Sequence, residues 1–249
     1  MPETAPVDVV SVFTDESGAF GNPLGILFST EQTRGREQQI ATALGYSETV
    51  FIDEIVEHGG GSGDPAASGH GAGRTALLRI FTPARELPFA GHPSVGTAWW
   101  LNRRGTPVNT LRVPAGDVAV RYDGDLTRIT GRASWAPEFT WHELATPAEV
   151  DALDAPTGPE GPFGHGHHYA WAWVDEAAGH LRSRMFAPEL GVNEDEATGA
   201  AAVRITALLG RDLAIDQGAG SRILTRHLGG ETVEVGGRTT ALASVPFPL

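Results

Sequence analysis

The chain of 249 residues contains no cysteine. That absence removes disulfides, thiolate zinc sites and cysteine nucleophiles together. Only two methionines are present. No apolar run approaches the roughly 20 residues that span a bilayer. The opening "MPETAPVDVV" lacks the basic and apolar regions of a signal peptide, so the expectation is a soluble cytoplasmic protein. Positive charge is also scarce. Eighteen basic residues face 31 acidic ones, a formal net charge of -13. Bulk electrostatics therefore gives no help to polyphosphate binding, and nucleic acid is not an expected partner. Hydrophobic residues make up 41% and charged residues 20%, a globular balance with enough chain for a substantial core.

Several catalytic templates are missing as well. There is no Walker loop, no G-x-G-x-x-G after a strand, no G-x-S-x-G and no H-E-x-x-H. Residues 57–75, "EHGGGSGDPAASGHGAGRT", read as a long mobile hairpin loop rather than a phosphate cradle.

What is present is a succession of short strands and a few helices. "VDVVSVFT", "LGILF", "ETVFIDEIV" and "ALLRIFTP" read as strands. A helix is expected after Ser29 or Thr30, ending at Gly45. Another opens at "GHPSVGTAWWLNRRG", with His92 as N-cap and Pro93 as the first helical residue. Residues 110–131 read as one hairpin around "DGD", and "TPAEVDALDA" as a short helix capped by Thr146. "HHYAWAWVDE" and "HLRSRMFAP" are strands, "ATGAAAVRITALLG" a helix, and the C-terminal stretch a hairpin with a last strand. Two segments are alike: "LRIFTPARELPFAGHPSVGTA" and "LRSRMFAPELGVNEDEATGAA". Each has Leu-Arg, then Phe-x-Pro, then Glu-Leu, and ends by opening an apolar helix. The likeness implies two related α/β halves, divided near 106–110.

Four places carry residues suited to chemistry. Glu48 opens an otherwise apolar strand; it is either an edge residue in water or a desolvated acid with a raised pKa. His92 at a helix start is either a turn histidine or a neutral donor, since the macrodipole opposes an imidazolium there. Glu194, Asp195 and Glu196 precede a helix, where any acid gains roughly 0.3–1 kcal/mol. The cluster is a solvated cap or contains a catalytic carboxylate. His165, His167 and His168 in "HGHHYAW" include a His-x-His pair, though a loop and strand start explain them without a metal.

The blocks "VFTDESGAFGNPLGIL", "GYSETVFI", "LRIFTPARELPFAGHPSVGTAWWL" and "RMFAPELGVNEDEATGAA" resemble, in order and spacing, those of the phenazine-biosynthesis PhzF-like family. The resemblance implies a diaminopimelate epimerase-like α/β (α+β) fold. Two pseudo-symmetric lobes, each a curved, mostly antiparallel sheet around a central helix, would span 1–108 and 109–239, with 240–249 possibly returning to the first. It implies a cofactor-independent isomerase without metal, moving a proton on a small cyclic or unsaturated amino/hydroxy acid. Glu48 would be the acid/base, with His92 and Asp195 as catalytic partners. Asn22, Ser47, Gly91, Pro93, Ser94, Thr198, Gly199 and Ala200 would bind substrate. Glu194 and Glu196 would remain a solvated cap. The partner expected is a small carboxylic acid, and the assembly a homodimer. The alternative is a lyase, dehydratase or cyclase of secondary metabolism, or an altered member that only binds a small acid. Two departures motivate it. The family pattern E-D-P-A-T-G-S-A is here "EDEATGAA", so Ala200 stands where a serine is expected, and residues 217–224 depart from the usual Q-G block.

Overall fold

The computed structural model describes residues 4–58, 73–158, 160 and 162–248. The loop expected at 57–75 lies mostly outside them. Its stems are the ends of two antiparallel strands, with His58 opposite Gly73.

The first half of the chain runs β1 (Thr4–Thr14), β2 (Asn22–Phe28), α1 (Glu37–Leu44), β3 (Glu48–His58), β4 (Gly73–Phe81), β5 (Glu86–Leu87), α2 (Gly91–Arg103), β6 (Thr110–Val113) and β7 (Gly116–Asp123). The second runs β8 (Leu126–Arg132), β9 (Thr140–Glu143), α3 (Pro147–Asp151), β10 (His168–Asp175), β11 (His180–Ala187), β12 (Val192–Asp195), α4 (Gly199–Leu209), β13 (Leu213–Gln217) and β14 (Ser221–Gly229). The order is the same element for element, and the pairings repeat too. β2 and β3 are parallel around α1, as β9 and β10 are around α3. β4 and β6 are parallel around α2, as β11 and β13 are around α4. All remaining pairings are antiparallel hairpins or closures. The duplication glimpsed in two short segments thus extends over both halves. The topological repeat turns over at Gly124-Asp125, in the turn between β7 and β8.

One strand joins the halves. β15 (Thr232–Pro248) pairs through 232–237 with β8 and through 238–248 with β1. The sequence reads this stretch as a hairpin arm plus a separate strand, because Gly236-Gly237 resembles a break. The glycines instead make room: a Cβ on Gly236 would lie 2.5 Å from the Thr127 carbonyl, and one on Gly237 2.6 Å from the Phe13 ring. The 110–131 segment is likewise three strands, not two, with a tight turn at Pro114-Ala115.

Burial follows the period-two alternation of the strands. Val50 and Ile52 of β3 join the main core with Val95, Ala98 and Leu101 of α2. Phe51 points the other way, into a smaller cluster with Ile40 and Ala41 of α1. α2 is buried nearly all round, as a helix enclosed by a sheet must be. α4 buries Ala201, Ala202, Val203 and Ile205 in the same main core. α1 begins at Glu37, seven residues beyond Thr30, because a hydrogen-bonded turn between Thr30 and Thr33 comes first; its end at left-handed Gly45 is as the sequence indicates. Thr146 caps α3 by accepting from the Glu149 amide.

Candidate active site

The two central helices meet end to end. A Cβ on Gly91 would lie 2.7 Å from Gly199 backbone atoms, and one on Gly199 2.8 Å from the Gly91 Cα and the His92 amide. Only glycine at both positions allows this approach. α2 starts at Gly91 with Ala90 as its extended N-cap residue, so His92 is the second helical residue and Pro93 the third. The pyrrolidine still removes an amide that would have no intrahelical partner.

Glu48 is the first residue of β3, and on the strand alternation it shares the α2-facing side of Val50 and Ile52. Its Oε2 lies 3.4 Å from His92 Nδ1, with the Glu48 side chain 15% exposed and the His92 side chain 3%. Neither Glu48 Oε2 nor His92 Nε2 has a hydrogen-bond partner among the described residues. Desolvation raises the Glu48 pKa to about 7, against a smaller lowering by Ser47. Desolvation lowers that of His92 to about 4, opposed by the charge of Asp195 and the Pro23 carbonyl.

Asp195 ends β12 and reaches the same place from the other lobe. Its Oδ1 accepts from Asn22 Nδ2 at 2.6 Å and its Oδ2 from Thr198 Oγ1 at 2.5 Å. Burial, then the neighbouring Glu48 charge, raises its pKa to about 6; His92, Thr198 and Asn22 pull it down. Ser47 Oγ donates to Asn22 Oδ1 at 2.9 Å, so a chain of polar groups runs from beside Glu48 to Asp195 across the lobe junction.

Glu48, Ser47, Asp195, Thr198 and Ala200 line a cavity of about 370 Å³. Most of the remaining wall is apolar, including Phe89, Trp135, Phe139 and Met185, with Thr82, Arg85, Glu86 and His167 as polar exceptions. The other expected substrate contacts stand behind this wall. Asn22 holds Asp195, Gly91 and Gly199 are pressed together, and Pro93 is buried. The buried Ser94 hydroxyl turns back to the Ala90 carbonyl at 2.7 Å, the usual fate of a serine inside a helix.

Glu194 and Glu196 are not a solvated cap. Glu194 forms a bidentate pair with Arg184 at 2.7 Å on each oxygen, and Glu196 accepts the Ala219 amide at 3.0 Å. They sit on a strand and the turn after it, one residue either side of Asp195, and both bind neighbouring chain rather than the helix end. The three histidines also part company. His168 stacks on His142, His165 lies 3.3 Å from Glu189, and His167 lines the cavity. Among the described residues no three His, Asp or Glu side chains converge as a metal centre requires.

Sequence reasoning passed over Gln217 as a site residue. It is fully buried; Nε2 donates to the Asp195 carbonyl and to Thr198 Oγ1, both at 2.8 Å, and Oε1 accepts the Thr198 amide at 3.2 Å. The "QG" block carried the signal.

Two like lobes, facing helix ends and a shared buried carboxylate pair define an epimerase-type isomerase architecture. A family model described as phenazine biosynthesis-like protein matches residues 10–161 and 164–231, and the chain belongs to that family. The trans-2,3-dihydro-3-hydroxyanthranilate isomerase of Pseudomonas aeruginosa is 28% identical over 248 residues, covering 87% of this chain and 84% of that protein. The enzyme of the same name from Pseudomonas fluorescens is 29% identical over 236 residues, covering 82% and 80%. Among solved structures, a PhzF-family protein of Bacillus anthracis superposes with a TM-score of 0.71 at 19% identity, over 99% of this chain and 100% of that one. A hydroxyproline epimerase of Agrobacterium vitis shares the fold with a TM-score of 0.62 at 11% identity, over 100% and 94%. Membership of the family, with curated relatives named as isomerases, makes the chain an isomerase.

Proposed function

We propose that the cavity shifts a proton within a small unsaturated amino- or hydroxy-bearing carboxylic acid, of the dihydro-hydroxyanthranilate type, without cofactor. Glu48 is the base that removes a proton from carbon and, after its carboxyl proton exchanges with solvent, the acid that delivers one elsewhere on the same face. The observation that carries this is its buried, unpartnered Oε2 on the cavity wall, with a pKa of about 7. A carboxyl poised there both accepts and donates near neutral pH. His92, held neutral, and Asp195 are its polar partners; the 3.4 Å separation is of the kind that tightens once substrate is bound. The substrate carboxylate is assigned to the cavity side of the helix junction, at Ala200 in the first turn of α4, where amides have no intrahelical acceptor. Local amides there outweigh the distant surface charge, which is screened beyond roughly 10 Å.

Incubation with trans-2,3-dihydro-3-hydroxyanthranilate in deuterium oxide tests the reading. Isomerised product carrying solvent deuterium is expected from the native chain and none from Glu48→Gln. A Gln variant with native turnover would remove Glu48 from the role.

One observation favours a second reading. Ala200 lines the cavity with a methyl where the family pattern has a hydroxyl. A lost hydrogen bond of this kind costs about 0.5–1.5 kcal/mol, enough to change which acid is turned over.

A further inference from the structure

The acid–base carboxylates account for only part of the cavity wall. Three aromatic side chains, Phe89, Trp135 and Phe139, line it too. Phe89 and Trp135 meet at a ring separation of 5.6 Å and an angle of 60°, and Phe139 packs on His167 at 5.5 Å. Such a surface suits a flat unsaturated body.

Arg85 is the one arginine among the lining residues. It is exposed, and its guanidinium makes no ion pair among the described residues. The acids of this corner are otherwise engaged: Glu86, which also lines the cavity, binds Arg79 at 2.9 Å, and Glu189, whose charge acts on His167, lies 3.3 Å from His165. His167 stands close enough for burial and then the Arg85 charge to hold its imidazole below the ordinary value, with Glu189 opposing. This corner is therefore a guanidinium with free donors beside a neutral ring, in a chain of net charge -13. An arginine fork left without a carboxylate partner matches a carboxylate brought by a ligand.

We propose that Arg85, flanked by His167, is a specificity-determining residue that takes a second carboxylate, at the end of the substrate remote from Glu48. The preferred substrate is then an extended, flat, unsaturated dicarboxylic acid, of which an acid of the dihydro-hydroxyanthranilate type fills only the end at Glu48. One end sits at the helix junction and the other at Arg85, with the body against Phe89, Trp135 and Phe139. The proposal deepens the reading of Glu48 as acid/base only in saying which end reacts.

Calorimetric titration with matched probes tests it without turnover. The probes are terephthalate, biphenyl dicarboxylate and the monoamide of each, which keeps the shape and removes one charge. The expected result is that at least one dicarboxylate binds about tenfold more tightly than its monoamide, the scale of a hydrogen bond to a charged group. Arg85→Gln abolishes the preference, and Arg85→Lys keeps part of it. Arg85 is exposed, so both variants are expected to fold, and circular dichroism checks this. A structural role would weaken acid and monoamide alike. Dicarboxylates that bind no better than their monoamides, or a preference that survives in Arg85→Gln, overturn the proposal. Because only binding is read, a failure of the Glu48 acid–base reading leaves this comparison intact.

Discussion

Replacing Glu48 by glutamine is expected to stabilise the protein while inactivating it. The Glu48 pKa is about 7, against 4.5 for an ordinary glutamate. At roughly 1.4 kcal/mol per pH unit, the gap amounts to about 3 kcal/mol of penalty for carrying the charge in the folded state. The side chain is only 15% exposed, so solvent relieves little of it. The sign follows from proton binding. The folded chain holds this proton more tightly than the unfolded chain does, so stability falls as pH rises from 4.5 to about 7. Glutamine has the same shape and no charge to bury. Urea unfolding of both proteins at about pH 5 and about pH 8 should give similar stabilities at the lower pH. At the higher pH the variant should lead by a few kcal/mol, the usual stability cost of an active-site group. Removing the Glu48 charge also lets the Asp195 pKa fall from about 6, which adds to the gain. His92 acts in the opposite direction: its pKa is lowered from 6.5 to about 4, so stability it contributes is lost as pH falls through that range. That loss is common to both proteins and largely cancels in the comparison. A glutamine variant no more stable than the native chain at pH 8 would refute the claim that Glu48 is desolvated.

Three further outcomes follow from the same geometry. Gly199→Ala places a methyl carbon 2.8 Å from the Gly91 Cα, so it should cost about 1–3 kcal/mol by overpacking and depress turnover by parting the helix ends; native stability in thermal unfolding would contradict the contact. Gln217→Leu strands the buried Thr198 amide and Asp195 carbonyl, at about 1–3 kcal/mol, and should lower kcat by loosening Asp195; unchanged kcat and unfolding midpoint would show that Gln217 positions nothing. Ala200→Ser restores a hydroxyl to the cavity wall and should raise kcat/KM on dihydro-hydroxyanthranilate by about tenfold, unless the methyl is neutral to that substrate, in which case the substitution does not set specificity.

Much of this was legible in the residues themselves. A lone acid opening "ETVFI" is as readily an edge residue in water, so Glu48 was singled out by the family resemblance, and the strand alternation then turns it inward with Val50 and Ile52. Asp195 stood out from its neighbours only through the family resemblance. No local pattern reveals that Glu194 meets Arg184 and Glu196 meets the Ala219 amide, since those partners come from other strands and a distant turn. The two-residue shift at His92 came from treating a polar side chain as the cap, whereas Ala90 caps by backbone conformation alone. β15 was cut in two because paired glycines resemble a turn, while their reason lies in Phe13 and Thr127, more than a hundred residues away in sequence. Gln217, marked only as part of a departing block, and Arg85 were passed over for a similar cause. Their importance comes from what the fold sets beside them, a buried amide in one instance and an aromatic cavity in the other.

The central claim is that Glu48 itself carries the proton. Mass spectrometry of product formed from trans-2,3-dihydro-3-hydroxyanthranilate in deuterium oxide addresses it directly. The account predicts one solvent deuterium per isomerised molecule with the native chain and neither isomerisation nor exchange with Glu48→Gln. Deuterated product from the Gln variant at the native rate would contradict it.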